Sequence, residues 1–128
     1  MTRKGLNRVR TIDGELRMWR SELDRLENAS RVGGVGSGNL PDPTGNKATR
    51  VADVKRIIEG RIAELELARL DAVEFVDSID DPFLKMVVYY RAVCLMRWNE
   101  VANSIGGGNS AESVRQAYSR FVKKLPPE

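Results

Sequence analysis

The sequence of this 128-residue chain predicts an all-α fold, and three observations support the prediction. Two long segments repeat apolar residues at alternating spacings of three and four, which places those side chains on one face of a helix. A segment rich in glycine and proline separates them and interrupts the helical pattern. The last third of the chain holds three shorter periodic segments, bounded by residues that begin or end helices.

Both long segments have the seam of a helix that packs against another helix. The first helix is predicted from about Leu6 to Asn28 and the second from about Thr49 to Ile79. The seam residues are Val9, Ile12, Leu16, Trp19, Leu23 and Leu26 in the first, and Val51, Val54, Ile58, Ile62, Leu65, Ala72 and Val76 in the second. Helices of this kind gain their stability by burying the seam. We therefore expect a long, coiled-coil-like hairpin, closed either within one chain or between two chains.

Residues 31–48 are predicted to be a Gly/Pro-rich linker inside this hairpin, so that residues 1–79 form one helical domain. The linker contains five glycines and two prolines. Gly33 and Gly38 have the outer spacing of a phosphate-binding loop, but Asn39 stands in place of the lysine of that motif. A linker is therefore the better interpretation.

Residues 80–128 are predicted to form a second domain with the helix order of a helix-turn-helix. Asp80 or Asp81 can cap a helix that begins at Pro82, where a missing N–H costs nothing. The short helix "WNEVANSI" follows, and three glycines end it. Asn109 or Ser110 can cap the last helix, and Asn109 and Glu112 stand three apart, as in a capping box.

The last helix presents a polar and basic face that suits DNA. Residues 113–124 carry four basic side chains and no acidic one, although the net charge of the chain is only +3. Arg115 can donate two hydrogen bonds to guanine, Gln116 can pair with adenine, and Glu112 can accept from a cytosine amine. The expected DNA-contacting residues are Ser110, Ala111, Glu112, Ser113, Arg115, Gln116, Ser119, Arg120 and Lys123. We therefore predict that the helix 110–124 lies in the major groove of double-stranded DNA.

The segment "VVYYRAVCLMRWNEVANSIGGGNSAESVRQAYSRFVKKL" resembles region 4 of sigma-70-type RNA polymerase sigma factors. "WNEVANSIG" stands for the family element "x-[WY]-E-E-I-A-x-x-L-G", and "SAESVRQAYSRFVKKL" stands for its capped helix ending in "L-K-K-L". The resemblance implies that this helix reads a promoter −35 element. The implied base-reading residues are Glu112, Arg115 and Gln116, and the implied basic positions are Arg120, Lys123 and Lys124.

The chain also departs from the sigma region 4 pattern. Ala111 stands where the family often has arginine, and Leu95 where it usually has glycine. The overall plan is similar to small phage transcription regulators of the ArpU and RinA type. That similarity implies a role in phage transcription, with RNA polymerase as a second partner.

The composition argues against an enzyme, a metal site and a cofactor. The chain has no histidine and a single cysteine, Cys94, which we expect to be reduced and buried in its apolar run. Asp80 and Asp81 look like a helix cap, and no nucleophile has a base at a meaningful spacing. The basic first ten residues lack the apolar stretch of a secretion signal, and no apolar run approaches membrane-spanning length. We therefore expect a cytoplasmic protein without a membrane partner.

Three functions remain open at this stage. The leading one is a sequence-specific DNA-binding transcription regulator of phage or prophage type, which gains affinity as a homodimer or through RNA polymerase. The dimer contact is expected along Leu16, Trp19, Leu23, Ile58, Ile62 and Leu65. The second is a phage DNA-packaging protein of the small terminase type. The third is a protein-interaction module whose helix-turn-helix no longer binds DNA.

Overall fold

A computed structural model confirms the predicted all-α class and describes residues 1–32 and 44–128. Within these ranges the chain forms six α-helices and no strand. The helices are α1 (Arg3–Leu6), α2 (Arg8–Val32), α3 (Thr44–Asp77), α4 (Pro82–Val88), α5 (Trp98–Ile105) and α6 (Ala111–Lys123). None of the helices described combines the length and the apolar composition that a membrane crossing needs.

Both long helices extend beyond the ranges that their apolar seams predicted. α2 ends at Val32 instead of near Asn28, and α3 begins at Thr44 instead of near Thr49. Parts of the predicted linker, residues 31–32 and 44–48, are therefore helical. The extensions are mostly polar and carry no apolar period, so the seam gives no sign of them. The rest of the predicted linker, residues 33–43, lies outside the described residues.

The chain divides into two compact units, and their boundaries differ from the predicted domains 1–79 and 80–128. One unit is Ile12–Glu64, and the other joins Met1–Thr11 to Leu65–Glu128. These boundaries fall inside the long helices α2 and α3. The apolar seam of each helix continues across its boundary, so the seam does not indicate where one unit ends and the other begins.

In the unit Ile12–Glu64, the apolar seam is covered within a single chain. Leu16 and Ile58, two residues of the expected dimer contact, are only 1% and 9% exposed. The carboxylate of Glu15 on α2 forms an ion pair with Arg61 on α3 and accepts a hydrogen bond from the Trp19 indole at 3.1 Å. Trp19, Leu23 and Ile62, also residues of the expected dimer contact, are only half-buried.

The other unit combines the start of the chain with the helices that follow α3. Leu6 and Val9 are almost fully buried in it. The last part of α3 also belongs to this unit, and its Phe75 ring lies 6.0 Å from the ring of Phe121 on α6. The last part of α3 therefore contacts α6 within this unit.

α4 begins as the sequence predicts but ends differently. Asp81 caps it by accepting a hydrogen bond from the Phe83 amide at 2.9 Å, and Pro82 is its first residue. A π-helical turn, Tyr89–Val93, continues it, and Leu95 then has a φ of 58°, in the region that favours glycine. Cys94 is exposed, so the expected burial of this thiol is wrong. The wider π-helical turn changes the direction of the side chains that follow it, which the α-helical period does not anticipate.

Candidate nucleic-acid interface

Three glycines form the tight connection between α5 and α6. Gly106, Gly107 and Gly108 have φ values of 73°, 66° and 79°, which residues with a Cβ rarely adopt. The Gly106 amide closes α5 on the carbonyl of Ala102 at 2.9 Å. The Asn109 side chain then donates to the Gly106 carbonyl at 2.7 Å. These hydrogen bonds and backbone angles fix how α6 leaves α5.

The start of α6 is capped by two serines. The hydroxyl of Ser110 accepts a hydrogen bond from the Ser113 amide at 3.1 Å, and the Ser113 hydroxyl accepts from the Ser110 amide at 3.0 Å. The capping box predicted between Asn109 and Glu112 is therefore wrong by one residue. Asn109 bonds within the glycine turn instead, which leaves the Glu112 carboxylate on the exposed surface of α6.

A small core under α6 determines which of its faces is exposed. Its buried members are Val87, Val101, Ala102 and Val114. Trp98 and Tyr118 close the edge of this core, with ring centroids 5.4 Å apart and planes at 60°. The Arg91 guanidinium lies 4.2 Å from the centre of the Trp98 ring, and burial lowers the pKa of Arg91. With Val114 and Tyr118 held in this way, the opposite face of α6 is left open to solvent.

The open face of α6 carries the predicted DNA-contacting residues. Most of them are exposed, and Ala111 and Ser119 are half-buried. A shallow groove of about 350 Å³ runs along this face. The groove is lined by Arg115, Gln116, Ser119, Arg120 and Lys123. No acidic side chain in the described ranges lines it, so its lining is cationic.

Glu112 hydrogen-bonds the other two candidate base-reading side chains, Arg115 and Gln116. Its carboxylate accepts hydrogen bonds from Arg115 Nε at 3.0 Å and from Gln116 Nε2 at 3.1 Å. The hydrogen bond from Arg115 holds the pKa of Glu112 below its ordinary value, and Glu112 raises the pKa of Arg115. All three side chains are exposed, and exposed ion pairs contribute little to stability. They can therefore exchange these hydrogen bonds for bonds to a ligand at low cost.

The start of the chain lies against the C-terminal end of α6, a contact that the sequence did not indicate. Arg3 donates from Nε to the Val122 carbonyl at 3.1 Å and from Nη2 to the Lys123 carbonyl at 2.8 Å. The Arg3 amide also donates to the Pro126 carbonyl at 2.7 Å. The side-chain bonds add donors at the C-terminal end of α6, where the Val122 carbonyl also accepts from the Leu125 amide at 3.0 Å. The basic residues at the start of the chain were visible in the sequence, but their packing partner was not.

The structure brings together most of the predicted contact set. Five of the nine residues line the groove, and Glu112 joins them through its hydrogen bonds. The remaining three lie in the first turn of α6 and its cap. Comparisons of the chain with protein-family models, curated proteins and solved structures give no match.

Proposed function

We propose that this protein is a sequence-specific DNA-binding transcription regulator of phage or prophage type, with α6 as its reading helix. The cationic groove on the open face of α6 supports this most directly. Guanidinium and amide groups on one exposed helix face are the groups that recognise guanine and adenine in the major groove. The order of α4, α5, glycine turn and α6 also suits a helix-turn-helix of the sigma region 4 kind, here preceded by a helical hairpin.

In the proposed complex, side chains near the start of α6 read base edges. Arg115 donates to the N7 and O6 atoms of a guanine, Gln116 pairs with an adenine, and Glu112 accepts from a cytosine amine. These groups hydrogen-bond one another in the free protein. Binding therefore exchanges one set of polar contacts for another. No polar group is buried without a partner, so binding avoids the cost of an unpaired donor or acceptor. Arg120 and Lys123 bind backbone phosphates and fix the position of α6 along the duplex.

We propose that the protein acts in the cytoplasm and has no enzymatic activity. It needs a partner to bind DNA with useful affinity. A single reading helix makes few phosphate contacts, so its binding to DNA is weak. A second copy of the chain or RNA polymerase supplies the additional contacts.

The proposal is tested by selecting bound fragments from random duplex DNA, with and without RNA polymerase. The wild type should enrich one motif, and Arg115→Ala should lose the preference at one base pair, at a cost of about 1–3 kcal/mol. Arg25→Ala is the matched control, because Arg25 forms the same kind of exposed ion pair with Glu22, three residues away, on α2. Arg25→Ala should leave the motif unchanged.

Two results would contradict the proposal. If the wild type enriches no motif under either condition, α6 does not read DNA, and the interaction-module hypothesis gains. If Arg115→Ala selects the wild-type motif with unchanged affinity, Arg115 does not read a base.

A further inference from the structure

We propose that Arg3, near the start of the chain, binds a DNA backbone phosphate beside α6. This inference rests on the proposed DNA binding of α6 and extends the interface to the segment Met1–Thr11. Its basis is a second groove of about 370 Å³, formed where that segment meets α6.

The second groove has the charge and the polar groups of a phosphate site. Arg3 and Lys123 contribute two cations to its lining, Arg115 contributes a third that is paired with Glu112, and Ser119 contributes a hydroxyl. No acidic side chain of residues 1–32 or 44–128 lines it. Trp98 contributes to the apolar part of its wall. Clustered cations with a hydroxyl donor are typical of contacts to backbone phosphates.

Arg3 is exposed and retains free donors after its bonds to α6. A guanidinium has five N–H groups. One on Nε and one on Nη2 donate to the carbonyls of Val122 and Lys123. About three N–H groups therefore remain, and the two contacts to α6 hold the guanidinium in place. A guanidinium held in this way loses little side-chain freedom when a phosphate binds.

The position of Arg3 also corrects an unfavourable field at the end of α6. The C-terminal end of a helix carries a partial negative charge, which repels phosphate. Arg3 covers two of the carbonyls that produce this charge. Residues 1–10 carry four basic groups and no acid, so the segment adds no opposing charge. Together with Arg120, Lys123 and Lys124 at the same end of α6, Arg3 therefore outweighs this partial negative charge.

The second groove lies next to the reading face because the two share residues. Arg115, Ser119 and Lys123 line both the groove on the open face and the groove at Arg3. A phosphate held by Arg3 consequently lies on the DNA that α6 reads. The start of the chain thus fixes the position of the reading helix on the duplex while carrying no sequence information itself.

The test is the salt dependence of binding, measured for Arg3→Gln, Arg3→Lys and the wild type on the enriched duplex and on a random duplex. Arg3→Gln should weaken binding to both duplexes by the same factor and reduce the salt slope by about 0.9. With that slope difference, the ratio of wild-type to variant affinity should be about 3.5-fold larger in 50 mM than in 200 mM salt. Arg3→Lys keeps the charge and loses the two-pronged contact to α6, so it should retain the wild-type slope.

Two controls separate this effect from total charge and from loss of fold. Arg20→Gln removes one exposed charge on α2, outside the groove, and should keep the wild-type slope. Thermal melting shows whether each variant is folded at the temperature of the assay. If Arg3→Gln is unfolded there, Arg3→Met takes its place at a lower temperature, because methionine keeps an unbranched apolar stem without the charge.

The possible failures are distinguishable. A wild type that binds the enriched duplex, together with a folded Arg3→Gln of unchanged affinity and slope, overturns the role of Arg3 and leaves the proposed function standing. The same result for Arg3→Met, where it is the variant used, has the same consequence. A wild type that binds no duplex at any salt concentration, with or without RNA polymerase, overturns both proposals.

Discussion

The substitution Trp98→Ala tests whether the core under α6 has the energetic role that its geometry indicates. The indole packs at the edge of this core, with the Tyr118 ring at 5.4 Å and the Arg91 guanidinium at 4.2 Å. Replacing a fully buried aromatic side chain with alanine costs about 3–5 kcal/mol. Trp98 is half-buried, so about half of that cost applies, and the lost ring and cation contacts bring the expected total to about 2–3 kcal/mol.

The measurement is the free energy of unfolding from urea titrations followed by far-ultraviolet circular dichroism. Trp98→Phe keeps an aromatic ring beside Tyr118 and should lose less stability than Trp98→Ala. Leu67→Ala is the matched control for removing a large apolar side chain, because Leu67 is 64% exposed and should change stability by no more than about 0.5 kcal/mol. If Trp98→Ala is as stable as Leu67→Ala, the indole does not support α6, and the packing account is refuted.

Two further predictions concern the glycine turn and the pairing of the long helices. Gly106, at φ 73° and ψ −152°, occupies a region nearly closed to other residues, so Gly106→Ala should lose about 1–3 kcal/mol, measured by thermal melting. Gly14→Ala, at a helical glycine with open space around it, should instead gain about 0.5–1 kcal/mol, and equal melting temperatures would contradict this contrast. The hydrogen bond from Arg61 holds the pKa of Glu15 in the folded protein below its ordinary value of 4.5. The stability that Glu15 contributes is therefore present above pH 4.5 and is lost as the pH falls through the lower pKa of the folded state. Melting temperatures against pH should therefore fall more steeply in acid for the wild type than for Glu15→Gln, and parallel curves would show that the contact is not formed.

Apolar periodicity and cap chemistry were sufficient to predict the helical class and the approximate course of the helices. A helix that buries one face has apolar residues at spacings of three and four. This pattern lies within each of α2 and α3, so it can be recognised without knowing what the helix packs against. Asp81 followed by Pro82 predicted the start of α4, because an acceptor side chain before a residue without an N–H suits a helix N-terminus. The polar and basic face of α6, predicted from the residue types that it carries, is the face that the structure leaves open to solvent.

The features that the sequence did not predict depend on contacts between distant residues or on competition between neighbouring ones. Arg3 meets the end of α6 across almost the whole chain, and no local pattern encodes such a contact. Ser110 and Asn109 are both good cap residues, and the structure uses Ser110 because Asn109 bonds to the glycine turn. The exposure of Cys94 depends on a π-helical turn, for which periodicity gives no signal.

The measurement that tests the central proposal most directly replaces one guanine of the selected duplex with 7-deazaguanine. This base keeps its Watson–Crick pairing and loses the N7 acceptor in the major groove, to which Arg115 is proposed to donate. At one guanine, the substitution should weaken wild-type binding and leave the binding of Arg115→Ala unchanged, because the variant has already lost that contact. Equal weakening of both proteins at every guanine, or no weakening of either, would contradict the claim that α6 reads the major groove through Arg115.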